Sequence, residues 1–173
     1  DTESAVSDFD KAVKNNSSDY ELYVNIYENL SAYDMTEKGE EYLNKAFDIK
    51  GNSAGDYAWR GRIYYYLGQY DNAKTELKSA LDKESVIANL YIAQVYEAQG
   101  DPENAEVYYQ NYVNSGNADS QAMNALGEIE MAKGNYSGAL TYLEQGIAME
   151  NVTNRRELMQ NLIICYEYTG LSG

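Results

Sequence analysis

The chain has 173 residues, 44% of them apolar, which is enough for one ordinary domain with a sizeable core and too apolar for disorder. Its 28 Asp and Glu outnumber 13 Lys and Arg, giving a formal net charge of -15, so a phosphate backbone would be repelled and no nucleic-acid partner is expected. There is no histidine and the only cysteine is Cys165, which excludes intrachain disulfides, histidine metal sites and histidine-based catalysis.

No run of about 18 apolar residues occurs, so no segment is expected to cross a membrane. The chain opens at Asp1 with neither methionine nor a basic or apolar leader, and we expect a processed or truncated start. Acidity, abundant tyrosine and asparagine and near absence of cysteine lean toward the outside of a bacterial cell, with an anchor on a removed leader as one way of holding it there.

At the N-terminal end, Ala5, Phe9 and Ala12 have the i, i+4, i+7 spacing of a helix. Further along, glycine recurs in similar surroundings: Leu67-Gly68-Gln69-Tyr70-Asp71, Gln99-Gly100-Asp101-Pro102-Glu103 and Lys133-Gly134-Asn135-Tyr136-Ser137. The spacings, 32 and then 34 residues, mark stacked helical repeats. Tyr57, Gly61, Tyr64, Gly68, Tyr70, Ala73, Leu77 and Ala80 then stand nearly place for place on the pattern of the tetratricopeptide repeat, which this stretch resembles.

Laid along the chain in order, the frame gives a half repeat over 3–19, repeats over 20–53, 54–85, 86–119 and 120–153, and a closing helix over 154–170. Tyr23, Ile26, Tyr27 and Leu30 fall on the first helix of the first repeat, and Gly39, Leu43 and Ala46 on its second. The third repeat shows Ile92, Ala93, Tyr96, Gly100, Ala105 and Tyr109; the fourth shows Met123, Leu126, Gly127, Gly134, Tyr136, Ala139 and Leu143; the closing helix shows Met159, Leu162, Ile163, Tyr166 and Gly170. The expected fold is all-α, a right-handed superhelical solenoid of antiparallel helix pairs with about ten helices in one domain.

Small residues recur where paired helices must approach, namely Gly61, Ala93 and Gly127 against Ala73, Ala105 and Ala139. Glycines 68, 100, 134 and 170 are placed to close a first helix in the left-handed conformation. Asp101-Pro102 reads as an N-cap followed by proline at the first helical position, with Asp71 and Ser137 at the corresponding place elsewhere, while Ser53, Ser85 and Asp119 are expected to cap first helices. The departures from the family pattern are the missing closing proline, replaced by Gly51, Ser85, Asn117 and Asn151, and Arg60, Glu130, Tyr112 and Gly146 at places of other usual types. Looser loops are expected where the proline is missing, and altered local packing in repeats two, three and four at the other four places.

Nineteen tyrosines against two phenylalanines and one tryptophan read mostly as core with a polar tip. Tyr64, Tyr65 and Tyr66 are consecutive and cannot all point inward on one helix, so at least one is expected to face outward. The resemblance implies that first helices line a concave groove for a peptide segment or partner helix. The places so implied are Val24, Glu28 and Ser31; Ala58, Arg62, Tyr65 and Tyr66; Leu90, Gln94 and Glu97; Asn124, Glu128 and Met131; and Gln160, Ile164 and Glu167. The groove candidates proper are Glu28, Ala58, Arg62, Tyr65, Tyr66, Leu90, Gln94, Asn124 and Glu128, with Tyr65, Tyr66 and Leu90 as apolar anchors and Arg62 setting polarity. Some family members clamp the C-terminal carboxylate of heat-shock chaperones with lysine and asparagine; one arginine at those places does not make such a clamp. Arg60 and Arg62 either recognise a ligand or pair with acids on a solvated surface, and the residues alone leave both open.

Enzymatic readings fare badly. Cys165 sits in the apolar run Leu162-Ile163-Ile164-Cys165 with no base to activate it, and neither a phosphate loop nor a calcium loop is present. A glycosidase-type carboxylate pair cannot be chosen from so many acids. No cofactor, metal or catalytic residue is expected, and the function implied by the resemblance is a protein-protein interaction module binding a peptide segment or partner helix in the concave groove. The alternatives are an assembly or spacer solenoid, self-associating through its terminal helices, and an extracytoplasmic sensor of a short peptide or sugar.

Overall fold

The computed structural model describes residues 2–170. They form ten α-helices and one π-turn: α1 (Thr2–Asn15), α2 (Tyr20–Ala32), α3 (Thr36–Ala46), α4 (Ala54–Tyr66), α5 (Tyr70–Leu81), α6 (Ile87–Ala98), α7 (Pro102–Tyr112), the π-turn (Val113–Asn117), α8 (Ser120–Ala132), α9 (Tyr136–Ile147) and α10 (Arg155–Thr169). The architecture is an all-α helical repeat in which α2 pairs with α3, α4 with α5, α6 with α7 and α8 with α9. Two compact units divide the chain, unit 1 over Asp1–Glu84 and unit 2 over Ser85–Gly173.

Each pair is short-looped, and neither helix of a pair could bury its apolar stripe alone. In unit 1 the core joins Tyr23, Ile26 and Leu30 of α2 to Tyr42, Leu43 and Ala46 of α3 and Ile63 of α4, with Phe9 and Val13 of α1 packed against it. Unit 2 has one cluster built from Leu90, Ala93, Ala105, Tyr109 and Leu126, and another from Ala139, Leu143, Leu158, Leu162 and Cys165. Full burial of one such aliphatic side chain contributes about 1.5–3 kcal/mol.

The small residues are required by contact. A Cβ at Gly127 would meet the Leu143 side chain at 2.6 Å, and one at Gly61 would overlap Leu77 outright. Where the first repeat has the bulky Tyr27 instead, the small partner has moved to the second helix: a Cβ on Gly39 would stand 3.0 Å from the Tyr27 ring. Gly146, at a usual alanine place, is tight as well, since a Cβ there would meet Met123 and Leu158 at 3.0 and 3.1 Å.

First helices end as expected. Gly68, Gly100, Gly134 and Gly170 have φ of 68, 71, 76 and 72°. At the first three, the next residue's N–H returns to a carbonyl one turn back: Gln69 to Tyr64, Asp101 to Tyr96 and Asn135 to Glu130, at 2.8–2.9 Å. In the first repeat Asp34 takes this place with φ 60°, and Met35 N–H donates to the Leu30 carbonyl at 2.9 Å.

Helix starts follow the expectation in part. Asp101 caps α7 by accepting from the Asn104 N–H, with Pro102 first in the helix. Ser53 and Asp56 form a reciprocal capping box on α4, and Asp119 caps α8. Three expected caps are corrected. Asp71 and Ser137 lie inside helices that begin at Tyr70 and Tyr136, so the capping places belong to Gln69, which makes no side-chain cap bond, and to Asn135, which accepts from the Gly138 N–H. Ser85 does not cap α6, which begins after Val86 with no side-chain cap. After α7 the chain widens into the π-turn, where Ser115 hydroxyl donates to the Tyr112 carbonyl and Gly116 takes φ 83°.

Candidate functional site

In unit 1 the candidate residues lie on α2 and α4. Arg62 donates through Nη2 to Glu28 Oε1 at 3.2 Å and to the Tyr66 hydroxyl at 3.0 Å, and that hydroxyl donates to the same Glu28 oxygen at 2.6 Å. A one-turn spacing on α4 brings Arg62 and Tyr66 to one side of the helix, and Glu28 meets them from α2. The Arg62 guanidinium lies over the Trp59 ring at 5.4 Å and over the Tyr66 ring at 5.5 Å. The charge of Glu28 is therefore answered within the unit. Burial first, then the bond to Glu28, pushes the Tyr66 phenol up to about 12, with Arg62 opposing.

The three consecutive tyrosines are all half-buried, each against another ring. Tyr64 packs on Phe47 at 4.6 Å between centroids, Tyr66 on Tyr27 at 5.0 Å, and Tyr65 on Tyr66 and Tyr70 at 5.6 and 6.2 Å. The expectation that at least one would face outward is thus met only partially, by a mutually covering aromatic row. Ala58 is buried at 3% exposure and offers no side chain to a ligand.

Arg60 looks the other way. Its Nε donates to Glu76 at 2.8 Å, its Nη1 to the Gly51 carbonyl at 2.9 Å and the Tyr20 hydroxyl at 3.4 Å, and it lines a cleft of about 560 Å³ with Phe47, Ile49 and Lys50. Both arginines of unit 1 make ion pairs with acids, and the pairs are partly covered: side-chain exposures are 15 and 24% for Arg60 and Glu76, and 26 and 45% for Arg62 and Glu28.

In unit 2 the candidates lie on α6 and α8. Leu90, an expected anchor, is 6% exposed and belongs to the core with Ala93, Ala125 and Ile129, so it is no ligand anchor. Gln94 is half-buried. Asn124 and Glu128 come together: Asn124 Nδ2 donates to Glu128 Oε1 at 2.8 Å. Asn161 of α10, absent from the sequence candidates, completes the group, its Nδ2 donating to Asn124 Oδ1 at 3.0 Å and Glu128 Oε1 at 2.9 Å. The only signal for it is a polar residue set between the buried Leu158 and Leu162. Gln160, Ile164 and Glu167 on the same helix are exposed.

Cys165 is fully buried and its thiol is pushed up by burial, which keeps it a thiol. No group of three His, Cys, Asp or Glu fit to hold a metal occurs among the described residues, and none of their helices is long and apolar enough to cross a membrane.

Two family models, both described as tetratricopeptide repeat, match residues 60–120 and 120–152, which together exceed half the chain. No curated protein matches it. Among solved structures, the chain is similar to PilW, titled a widely conserved type IV pilus biogenesis factor, with TM-score 0.68 and 19% identity over 98% of this chain and 83% of that one. A thermophilic TPR protein of Thermus thermophilus superposes with TM-score 0.69 and 18% identity, over 93% and 90% of the two chains. YrrB, titled a TPR protein with an unusual peptide-binding site, gives TM-score 0.57 and 22% identity over 95% and 84%. At these identities the structures bear on fold alone. Neither family match names an enzymatic family. With the paired helices, the left-handed closing glycines and the two matches agreeing, the chain belongs to the tetratricopeptide repeat family.

Proposed function

We propose that this protein binds a segment of another polypeptide on the faces of its first helices, at Glu28, Arg62, Tyr65 and Tyr66 in unit 1 and at Asn124, Glu128 and Asn161 in unit 2. The coarser role, protein interaction or scaffolding, is that of the family. The observation that carries the finer reading is the cross-helix ordering of polar side chains on these faces: the Glu28–Arg62–Tyr66 triangle and the Asn124–Glu128–Asn161 triangle each join two first helices. Side chains held in advance lose less entropy when a ligand arrives. A related fold is titled as peptide-binding in YrrB, which supports the reading by analogy.

The test is a random-peptide display selection on the chain, followed by titration of enriched peptides against wild type, Arg62→Glu/Tyr66→Ala and Glu128→Lys/Asn161→Ala. Loss of about 1–3 kcal/mol of binding per anchor in at least one variant is expected. Unchanged binding in both would move the site off these faces.

The second reading, self-association, is favoured by Met159 and Ile163 of α10, 51% and 56% exposed at one-turn spacing. Sedimentation of the wild type and Met159→Ser/Ile163→Ser distinguishes it: a single monomeric species at all concentrations would end it.

A further inference from the structure

In unit 2 a notch of about 230 Å³ forms where the end of α6, the start of α7 and one side of α8 meet. Pro102, Ala105, Ala125, Ile129 and Ala132 give it apolar walls, and its acidic members are Glu97 and Glu128, both exposed. Small-molecule pockets begin at about 300 Å³, so the notch suits a single long side chain better than a free metabolite.

The two carboxylates are held in place by neutral groups. Glu97 Oε2 accepts from the Tyr109 hydroxyl at 2.8 Å, and Glu128 Oε1 accepts from the Asn124 and Asn161 amides at 2.8 and 2.9 Å. Neither carboxylate makes an ion pair among the described residues. Phenol and amide donors fix an oxygen's position without cancelling its charge. Cations are also scarce in this unit: residues 85–173 carry eleven acidic and three basic side chains, and one of the three, Lys133, is committed to Glu106 and Glu130 at 2.6 and 2.9 Å. Two ordered, uncompensated carboxylates beside a methyl-lined notch complement a ligand that is cationic at its tip and aliphatic along its stem.

We infer that the notch takes a lysine or arginine side chain of a polypeptide partner, methylenes against Ala125, Ile129 and Ala132 and cationic head on Glu97 and Glu128. This rests on the reading of first-helix faces as peptide-binding, and adds the chemistry of the residue they select. A divalent metal ion is the poorer occupant, because among the described residues no third acidic, histidine or cysteine ligand joins the two glutamates.

The experiment is the same display selection, now read by composition and repeated on two variants. Glu97→Gln/Glu128→Gln removes both charges and keeps an acceptor for Tyr109, Asn124 and Asn161; Ala132→Phe fills the notch at an exposed position and leaves the charges alone. Circular dichroism and a thermal melt establish that each is folded. Enriched peptides are expected to carry a lysine or arginine. Their binding, followed by fluorescence anisotropy, should weaken about tenfold or more with added salt, in either variant, or when that residue is replaced by norleucine or citrulline. Enriched peptides that lack a basic residue, or that bind Glu97→Gln/Glu128→Gln as tightly as wild type, overturn the notch while leaving the face reading standing. A selection that enriches nothing on the wild type overturns both.

Discussion

The polar faces of the two units are assembled from first helices in the same way and differ in what answers a carboxylate. In unit 1 Glu28 is met by the guanidinium of Arg62 and the phenol of Tyr66; in unit 2 Glu128 is met by two amides. The first face closes on itself electrostatically, while the second is rigid yet keeps its charge. One repeat frame therefore carries two surfaces of different appetite, because the frame decides backbone and core spacing and leaves the outward residues open.

The largest expected effect tests what the units share. Leu77→Ala in unit 1 and Leu143→Ala in unit 2 each remove a fully buried side chain seated against a glycine, and each should cost about 2–5 kcal/mol in urea unfolding. A loss confined to one unit would mean that the helix pairs are not equivalent.

A smaller effect separates the faces. Arg62→Gln leaves Glu28 without its cation and should destabilise by about 1 kcal/mol, less as salt is added; Asn161→Ala should cost a similar amount with little salt dependence, since the bonds it removes have a neutral donor. Equal salt dependence of the two losses would erase the distinction drawn between the faces.

A further effect appears at high pH and belongs to unit 1's triangle. The Tyr66 phenol titrates near 10 when unfolded and is held at about 12 when folded, so the stability tied to its protonated form is complete below pH 10 and is lost as pH rises toward 12. Tyr66→Phe should flatten that decline in stability between pH 10 and 12, and absorbance at 295 nm should lose one late-titrating phenol. An unchanged titration would remove the triangle from the account.

Much of this fold was legible in the residues, because stacking constrains the positions that had to be read. Glycine at 68, 100, 134 and 170 is dictated by a left-handed closing residue, and Gly61 and Gly127 by a leucine on the facing helix. The face was less legible. A place in the repeat says which side of a helix a residue occupies, and not whether a neighbour rises to cover it: Leu90 sinks beside Ala93 and Ala125, which are small, and packs with Ile129, whereas Tyr65 and Tyr66 stay half-exposed because rings of their own size stand beside them. Asn161 escaped because its meaning comes from Asn124 and Glu128, more than 30 residues away in the chain. The capping positions slipped by two residues at Asp71 and Ser137, since helices entered through a left-handed glycine start earlier than the spacing of acids and serines implies.

Asp34 stands in the left-handed conformation that glycine fills at the four other first-helix ends, with its backbone held by the bond from Met35 to Leu30. A side chain in that conformation is strained by roughly 1 kcal/mol relative to glycine. The turn between α2 and α3 is thus a reserve of unspent stability: Asp34→Gly would toughen the molecule for crystallisation or labelling while leaving the residues of both faces unaltered.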